Sequence, residues 1–314
     1  MYLRVIAIRA RRPIQKGLAM LVNLRDMCAI AEQYNMAIGS FNTPNMESLR
    51  ATIIAAEETH LPVMISHAQV HEPIAPLDLV GPAMVELAER SSALICVHLD
   101  HCKDLSYMRR ALEMGFNGAM YDGSALPYQQ NVENSQRAAA MCASFDCGLE
   151  CEIGSMGARE AGERDEGGTA EESGAIYTDP DQAAEFVAST GLDALACSFG
   201  TVHGIYKGEP HLSFDVLRGI RERVNIPLVM HGGSGVSNED YHKAIDAGSR
   251  KINYYTYGAK FAGEAAADFI AAKRAEKSDA LIYWHDLTQA AYERYLEVTI
   301  DIMKVFANGT ESVA

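Results

Sequence analysis

Three histidines and one aspartate with metal-binding or acid–base potential stand at the ends of apolar runs typical of buried strands. His101 lies beside Asp100 in VHLDHC (97–102), His203 follows ALACSFG, and His231 follows PLVM. Any one such histidine is more often a hydrogen-bonded structural residue than a ligand. Three neutral imidazoles that leave a fourth position open are, in contrast, the donor set of a catalytic zinc site. The sequence therefore predicts zinc chemistry if the fold brings these segments together.

Eight short apolar runs alternate with longer amphipathic stretches from residue 37 onward. The runs span residues 37–42, 62–66, 93–100, 118–122, 148–154, 194–200, 227–233 and 251–255. Strands that alternate with helices pair in parallel, and eight of them close into an α/β TIM (β/α)8 barrel. A doubly wound sheet is the structural alternative, but no GxGxxG follows the first run. In a barrel the carboxyl ends of all the strands meet at one face, which would gather the histidines.

The chain divides into a short arm and one large domain. Residues 1–19 are basic and contain no acidic side chain. They do not have the longer apolar core of a secretory signal, so we expect a dispensable arm, with a transit peptide as the alternative. Residues 20–314 form the barrel domain. Within it, residues 285–307 predict an extra C-terminal helix that packs on the barrel or across an oligomer interface.

Further polar side chains fall at or near the predicted strand ends: Asn42, Ser66, Asp122, Glu152 and Asn253. The segment HGGSG (231–235) is a glycine-rich turn that leads into a predicted helix. Such a turn exposes backbone N–H groups that bind phosphate, and barrels often bind phosphate after their last two strands. By itself GGSG is as often a simple tight turn; its position beside a candidate ligand favours the phosphate site.

One long irregular segment, residues 154–176, follows the fifth predicted strand. It is rich in glycine and acidic residues. Loops of this length inside a compact domain are usually functional or disordered. Because it leaves the barrel at the face where active sites lie, we expect it to form a mobile lid.

Charge and cysteine content narrow the class of partner. The formal net charge is −15, which argues against nucleic acid or an anionic membrane as partner. No apolar stretch approaches the roughly 18 residues that a membrane span needs. The seven cysteines form no CxxC pair, a pattern typical of reduced thiols in a cytoplasmic protein.

The ordered motifs resemble one family over nearly the whole domain. VHLDH, MYDGS, ECEIG, GTVHGIYKGEP, LVMHGGSG and KINxxT occur in that order. Together they resemble the class II, zinc-dependent ketose-bisphosphate aldolases, which include the fructose- and tagatose-bisphosphate aldolases. The fold of that family is a TIM barrel, in agreement with the strand count.

The resemblance implies roles for the polar residues. His101, His203 and His231 would hold the catalytic zinc, and Asp122 and Glu152 match a second, alternative metal site that could also take another divalent or monovalent cation. Asp100 matches the group that protonates the aldehyde-derived oxygen. Positions that bind the substrate are matched by Asn42, Ser66, Gly204, Lys207, Gly232, Gly233, Ser234, Asn253 and Thr256.

The expected reaction is reversible cleavage of a ketose 1,6-bisphosphate to dihydroxyacetone phosphate and an aldehyde. A zinc that chelates the ketone and hydroxyl oxygens would stabilise the enediolate, while carboxylates move the protons. The family takes its carbon base from a glutamate on the loop after strand five. Glu160 is the best spacing match and Glu163 the next, although the local sequence departs from the family's Gly-Gly-x-Glu-Asp-Gly pattern.

The sequence also departs from the family pattern at the positions that would bind the distal phosphate. Tyr254 and Tyr255 precede Thr256, and Lys260 is the nearest candidate for the arginine that bisphosphate-specific members often carry. The alternative substrate is therefore a ketose 1-phosphate or another sugar phosphate that lacks the distal phosphate.

Two alternative functions follow from other features. A Schiff-base aldolase would use Lys251 on the last strand but would leave the three histidines unexplained. A barrel without catalysis could serve as a sugar-phosphate-binding regulatory subunit, although the intact ligand set and Asp100 argue against it. The resemblance further implies a homodimer or homotetramer.

Overall fold

The computed structural model describes residues 21–154, 177–206 and 210–313, which form a closed parallel barrel. Its eight strands are β1 Ile38–Asn42, β2 Val63–Ala68, β3 Ile95–Cys102, β4 Gly118–Tyr121, β5 Gly148–Ile153, β6 Ala194–Cys197, β7 Leu228–Met230 and β8 Ser249–Asn253. Each strand pairs with the next along the chain, and β8 pairs with β1 to close the sheet. The predicted TIM barrel is confirmed.

Ten α-helices cap or surround this barrel within the described residues. They are α1 Leu24–Tyr34, α2 Met46–Thr59, α3 Leu77–Arg90, α4 Leu105–Glu113, α5 Tyr128–Ser144, α6 Pro180–Thr190, α7 Phe214–Arg223, α8 Asn238–Asp246, α9 Thr256–Glu276 and α10 Trp284–Phe306. One helix follows each strand from α2 to α9, while α1 precedes the barrel and α10 ends it.

Local sequence signals set the helix boundaries, as α6 illustrates. The carboxylate of Asp179 accepts hydrogen bonds from two backbone N–H groups of the first turn. Pro180 occupies the first helical position, where its missing N–H costs no hydrogen bond. Gly191 ends the helix with a left-handed φ of 77°, which favours glycine.

The helix α1 closes the amino-terminal end of the barrel, and the apolar alternation did not predict it. Its Leu24 and Met27 are fully buried. Gly148, at the start of β5, leaves room for the helix, because a Cβ there would lie 2.7 Å from the backbone nitrogen of Arg25. With this end sealed, the carboxyl end of the barrel is the face available to a substrate.

The helix α10 is the extra C-terminal helix that the sequence predicts, and it packs on the barrel. The ring of Phe306 lies 4.9 Å from the ring of Tyr241 and 6.3 Å from that of Tyr254. The carbonyl of Phe306 accepts a hydrogen bond from the backbone N–H of Ala37 at 2.9 Å, just before β1. The final helix therefore anchors both β1 and the segment after β8.

Strand boundaries differ from the predicted ones at polar positions. β2 and β3 each continue two residues further than predicted, through Ala68 and Cys102, and Ala68 pairs with Asp100. β8 begins at Ser249, two residues earlier than predicted. Ladder hydrogen bonds involve the backbone alone, so a polar side chain does not end a strand.

Two predicted segments lie outside the described residues: the arm (1–19) and all but the first residue of the lid (154–176). In the described part of the chain, no helix combines the length and apolarity needed to cross a membrane.

Candidate active site

The structure brings the three predicted histidines together at the carboxyl end of the barrel. His101 belongs to β3, His203 follows β6 and His231 follows β7 directly. Their ring centroids are 4.4–5.9 Å apart. One nitrogen from each ring lies within 4.8 Å of the others, a group that could hold a metal ion. Three strands far apart in sequence thus converge as the barrel requires.

Backbone geometry aims His101 into this group. Its φ is +45°, an unusual left-handed value for a residue other than glycine. The pairing of β3 with β4 shifts register between Leu99 and Cys102, as in a β-bulge. Bulges re-aim side chains near active sites, and here two successive residues, Asp100 and His101, both become available at the barrel mouth.

Carboxylates hold two of the imidazoles by their outer nitrogens. His101 Nδ1 lies 3.1 Å from Asp122 Oδ2, and His231 Nε2 lies 2.6 Å from Glu150 Oε1. The inner nitrogens, His101 Nε2 and His231 Nδ1, face each other at 2.7 Å. Carboxylates that engage the outer ring nitrogen are typical of metal-bound histidine, because they fix the tautomer and the ring orientation. Burial, followed by the nearby His101, lowers the pKa of His231, which favours the neutral form that binds metal.

Asp122 and Glu152 form a second group with His101. One ligand atom from each lies within 4.8 Å of the others. Burial alone would raise the pKa of Asp122, but the hydrogen bond with His101 and those from Ser124 lower it strongly overall. Glu152 is buried. The predicted second set of metal ligands therefore adjoins the first and shares one histidine with it.

Asp100 is buried and receives hydrogen bonds from two amides. The side-chain nitrogen of Asn42 donates at 3.0 Å, and that of Asn253 lies 3.0 and 3.3 Å from the two carboxylate oxygens. Burial alone would raise the pKa of Asp100, yet His101 and Lys251 help to hold it well below its ordinary value. An ionised carboxylate can accept a proton from a substrate hydroxyl, which is what aldol cleavage demands.

A buried ionic cluster lies one layer below. Lys251 Nζ is 2.9 Å from Glu150 Oε2, and His98 Nε2 is 3.7 Å from the same oxygen. All three side chains have no exposed surface. Burial opposes ionisation of Glu150, but Lys251 and His231 outweigh it and lower the pKa to about 2. Burial, then Lys251, lowers the pKa of His98 to about 3.

Glu150 was missed from the sequence, and Lys251 was considered only as a Schiff-base nucleophile. The sequence did contain a signal for both residues, because side chains two positions apart in a strand lie on the same face of the sheet. Glu150 precedes the predicted ligand Glu152 by two residues, and Lys251 precedes Asn253 by two. The same spacing relates His98 to Asp100.

The glycine turn after β7 packs against neighbouring backbone. Gly232 has φ +63°, and a Cβ there would lie 2.5 Å from the carbonyl oxygen of Val202. A Cβ on Gly233 would lie 2.7 Å from the carbonyl oxygen of Asn253. Ser234 Oγ accepts a hydrogen bond from the backbone N–H of Tyr255 at 3.2 Å. The turn is thereby fixed against the segment after β8.

The remaining predicted substrate residues occupy varied environments. Ser66 is fully buried with its hydroxyl 2.7 Å from Ser40 Oγ. Gly204 has φ +95° and open space where a Cβ would project. Thr256 is the first residue of α9. Lys207, like the loop glutamates Glu160 and Glu163, lies outside the described residues.

The tyrosine pair after β8 separates into a core residue and a rim residue. Tyr254 is buried and contacts Phe41 and Phe306 ring to ring. Tyr255 lies 5.1 Å from the ring of His71, which ends the short helix after β2. Lys260 Nζ lies 3.7 Å from Glu264 on the half-exposed side of α9. The rim near the carboxyl end of β8 is therefore lined by the aromatic side chain of Tyr255, while Lys260 is paired with an acidic side chain of its own helix.

Comparisons with known proteins agree with this geometry. The model of the class-II fructose-bisphosphate aldolase family matches residues 22–309. YdjI of Escherichia coli (strain K12) is 34% identical over 278 residues, which cover 88% of this chain and 96% of YdjI. The sulfofructosephosphate aldolase of Alkalicoccus urumqiensis is 36% identical over 233 residues, which cover 74% of this chain and 79% of that protein.

Solved structures of aldolases are also similar to this chain. The crystal structure of the YdjI aldolase from Escherichia coli K12 has a TM-score of 0.77 and 28% identity, with 93% of this chain and 100% of that chain covered. The fructose-bisphosphate aldolase of Campylobacter jejuni has a TM-score of 0.74 and 20% identity, with 92% and 96% covered, and supports the fold.

Proposed function

The chain belongs to the class-II fructose-bisphosphate aldolase family, and we propose that it is a zinc-dependent enzyme that cleaves a ketose 1,6-bisphosphate reversibly. The substrate is of the fructose or tagatose type, and the products are dihydroxyacetone phosphate and an aldehyde. The observation that carries the proposal is the convergence of three imidazoles beside a buried carboxylate, Asp100. A non-catalytic regulatory subunit would have no need of that carboxylate.

The donor set fits zinc. His101, His203 and His231 would supply three nitrogen ligands, the number typical of a catalytic zinc site. Asp122 and Glu152 supply the oxygen ligands of an alternative site that shares His101. The chemistry that bound zinc contributes is Lewis acidity toward the carbonyl and hydroxyl oxygens of the three-carbon ketone half.

The carboxylates move the protons. During cleavage Asp100 accepts the proton of the C4 hydroxyl as the C3–C4 bond breaks, and the electron pair of that bond remains on the ketone half. Glu160 then delivers a proton to C3, which completes dihydroxyacetone phosphate. Condensation reverses both transfers. The hydrogen bonds from Asn42 and Asn253 keep Asp100 in place for this exchange.

The phosphate of the ketone half is bound by the glycine turn and the start of α9. Gly233 and Ser234 approach the backbone of the segment that leads into this helix at Thr256, while Gly232 packs against the backbone of Val202. Helix N-termini favour anions through their unpaired N–H groups and dipole. The family resemblance assigns Gly204 and Lys207 to the same subsite, where Lys207 would provide the positive charge.

A second candidate substrate is a ketose 1-phosphate without the distal phosphate. It is favoured by the aromatic rim at Tyr255 and by Lys260, whose ammonium is already close to Glu264. The relative named sulfofructosephosphate aldolase raises a third form of the same reaction, in which a sulfonate replaces that phosphate.

A substrate panel tests the proposal. Zinc-loaded protein is assayed for dihydroxyacetone phosphate release from fructose and tagatose 1,6-bisphosphates, from their 1-phosphates, and from 6-deoxy-6-sulfofructose 1-phosphate. We expect cleavage of one bisphosphate, loss of activity with chelator, and no trapping of substrate by borohydride. Preference for a 1-phosphate or the sulfonate would establish the second or third substrate. Indifference to all five would overturn the proposed substrate class.

We further propose a homodimer or homotetramer in the cytoplasm. All seven cysteines are buried and free, as reduced thiols would be. Mass measurement in solution tests the assembly.

A further inference from the structure

One lysine lies at the centre of the buried ionic cluster beneath the site. Lys251 projects from β8 into the barrel and has no exposed surface. Its ammonium makes two polar contacts, 2.9 Å to Glu150 Oε2 and 2.7 Å to Asn253 Oδ1. A buried ammonium is costly unless such partners surround it, so its presence calls for a reason.

The first contact leads to a metal ligand. Glu150 faces Lys251 with one carboxylate oxygen and His231 Nε2 with the other, the latter at 2.6 Å. This carboxylate fixes the hydrogen on Nε2 of the imidazole and leaves the lone pair of Nδ1 directed at His101. The lysine therefore orients Glu150, and Glu150 orients the imidazole.

The second contact leads to the proton-transfer group. An amide side chain can rotate by half a turn at little steric cost, which exchanges its oxygen and nitrogen. Because Lys251 donates to Asn253 Oδ1, the nitrogen of Asn253 must face the other way. It lies 3.0 Å from Asp100 Oδ1 and 3.1 Å from His231 Nδ1. The reversed amide would place its oxygen against the carboxylate of Asp100.

We propose that Lys251 is a positioning residue that orients both the zinc ligand His231, through Glu150, and the proton-transfer carboxylate Asp100, through Asn253. The inference rests on the proposed aldolase mechanism. It differs from a purely structural ion pair, which would balance the charge of Glu150 and leave the two orientations unaffected.

Two variants separate these roles. Lys251→Met removes the ammonium and keeps most of the side-chain volume. The double variant Glu150→Gln/Lys251→Met removes both charges, so it avoids an unpaired buried carboxylate. Lys243→Met is the matched control, since Lys243 is a half-exposed lysine on α8 that pairs with Glu239 and Asp240 of its own helix and lies over the ring of Phe214, far from the cluster.

Three readouts apply to each variant. They are zinc affinity in competition with a chromophoric chelator, the melting temperature of metal-depleted protein, and kcat with KM for the substrate that the wild type cleaves. For Lys251→Met we expect zinc affinity to fall by about 10–100-fold, with a loss in kcat larger than the change in KM. The double variant should regain melting temperature but not zinc affinity or kcat, and the control should match the wild type.

The proposal is overturned if the double variant regains all three properties, or if folded Lys251→Met binds zinc and turns over as the wild type does. Should Lys251→Met fail to fold, Glu150→Asp keeps the charge pair but shortens the reach to His231. Zinc affinity equal to the wild type in that variant would also contradict the proposal. Zinc affinity and melting need no substrate, so they remain decisive even if the proposed reaction is wrong.

Discussion

The side-chain nitrogen of Asn253 lies 3.0 and 3.3 Å from the two carboxylate oxygens of Asp100, although 153 residues separate them. Asn253 ends β8 and Asp100 lies in β3, so the contact crosses the mouth of the barrel. It exists because the sheet closes between β8 and β1. The contact ties Asp100, the proposed acceptor of the C4 proton, to the strand that precedes the proposed phosphate-binding segment.

Replacement of Asp100 by asparagine should abolish one proton transfer and spare the other. We expect kcat for cleavage to fall by about 10²–10⁴-fold, because no carboxylate remains to accept the C4 proton. Exchange of a hydrogen on the hydroxymethyl carbon of dihydroxyacetone phosphate (C3 of the ketose) with deuterated water should persist, since it uses the carbon base and not Asp100. Asp104→Asn is the control, because asparagine caps α4 as well as aspartate does. Loss of exchange together with cleavage would contradict the assigned role.

The loop glutamates should show the converse pattern. Glu160→Gln is expected to stop deuterium exchange into dihydroxyacetone phosphate, because the amide cannot remove the proton from the hydroxymethyl carbon (C3 of the ketose). Glu163→Gln should leave exchange within about tenfold of the wild type. Proton NMR of the ketone phosphate measures both rates. If Glu163→Gln loses exchange and Glu160→Gln keeps it, the base is Glu163.

Much of the fold and of the site was predictable from alternation and ordered motifs. The strand count gave the barrel, and polar residues at the strand ends gave His101, His203 and His231, which the structure brings together. The helix α1 was not predicted, because a short helix before the first strand adds nothing to the strand–helix alternation. Its role in closing the amino-terminal end of the barrel depends on contacts with strands distant in sequence.

The layer beneath the ligands was harder to predict. The side chains of Glu150 and Lys251 point into the barrel and meet there. The sequence of either strand by itself does not show which residue of another strand its charged side chain will contact. Period-two spacing identifies the face but not the ion pair. Which charged side chains of β5 and β8 meet depends on the relative heights of these two strands on opposite sides of the barrel. Those heights are set only when the barrel closes.

Loss of one imidazole should remove the metal. In His203→Ala, His101 and His231 remain as a pair, which is too few protein ligands for a catalytic zinc site. We expect less than stoichiometric zinc after dialysis, measured by elemental analysis, and parallel loss of cleavage. His285→Ala is the control, because His285 is exposed at the start of α10. Stoichiometric zinc in His203→Ala would remove this residue from the ligand set.

Glycine at position 232 should be required for both stability and phosphate binding. In Gly232→Ala the new Cβ meets the carbonyl oxygen of Val202 at a left-handed φ. We expect a loss of about 1–3 kcal/mol in unfolding free energy, with a raised KM. Gly263→Ala, in open space on α9, should instead gain about 0.4–1 kcal/mol. Urea unfolding measures both, and equal stability of the two variants would contradict the close approach.

Acid should destabilise the metal-depleted protein from about pH 6.5 downward, because buried histidines resist protonation. Burial, reinforced by His71, lowers the pKa of His67 to about 4 from its ordinary value of 6.5. A lowered folded-state pKa means that the unfolded chain binds more protons between these values. The stability contributed by neutral His67 is therefore complete above pH 6.5 and is lost as the pH falls toward 4.

The slope of unfolding free energy against pH tests this sign. Each histidine that stays neutral only in the folded state contributes about 1.4 kcal/mol per pH unit between the two pKa values. His67→Gln should reduce the slope between pH 6.5 and 4.5 by about that amount, because glutamine does not titrate. An unaltered slope in His67→Gln would mean that His67 is not held neutral by the fold.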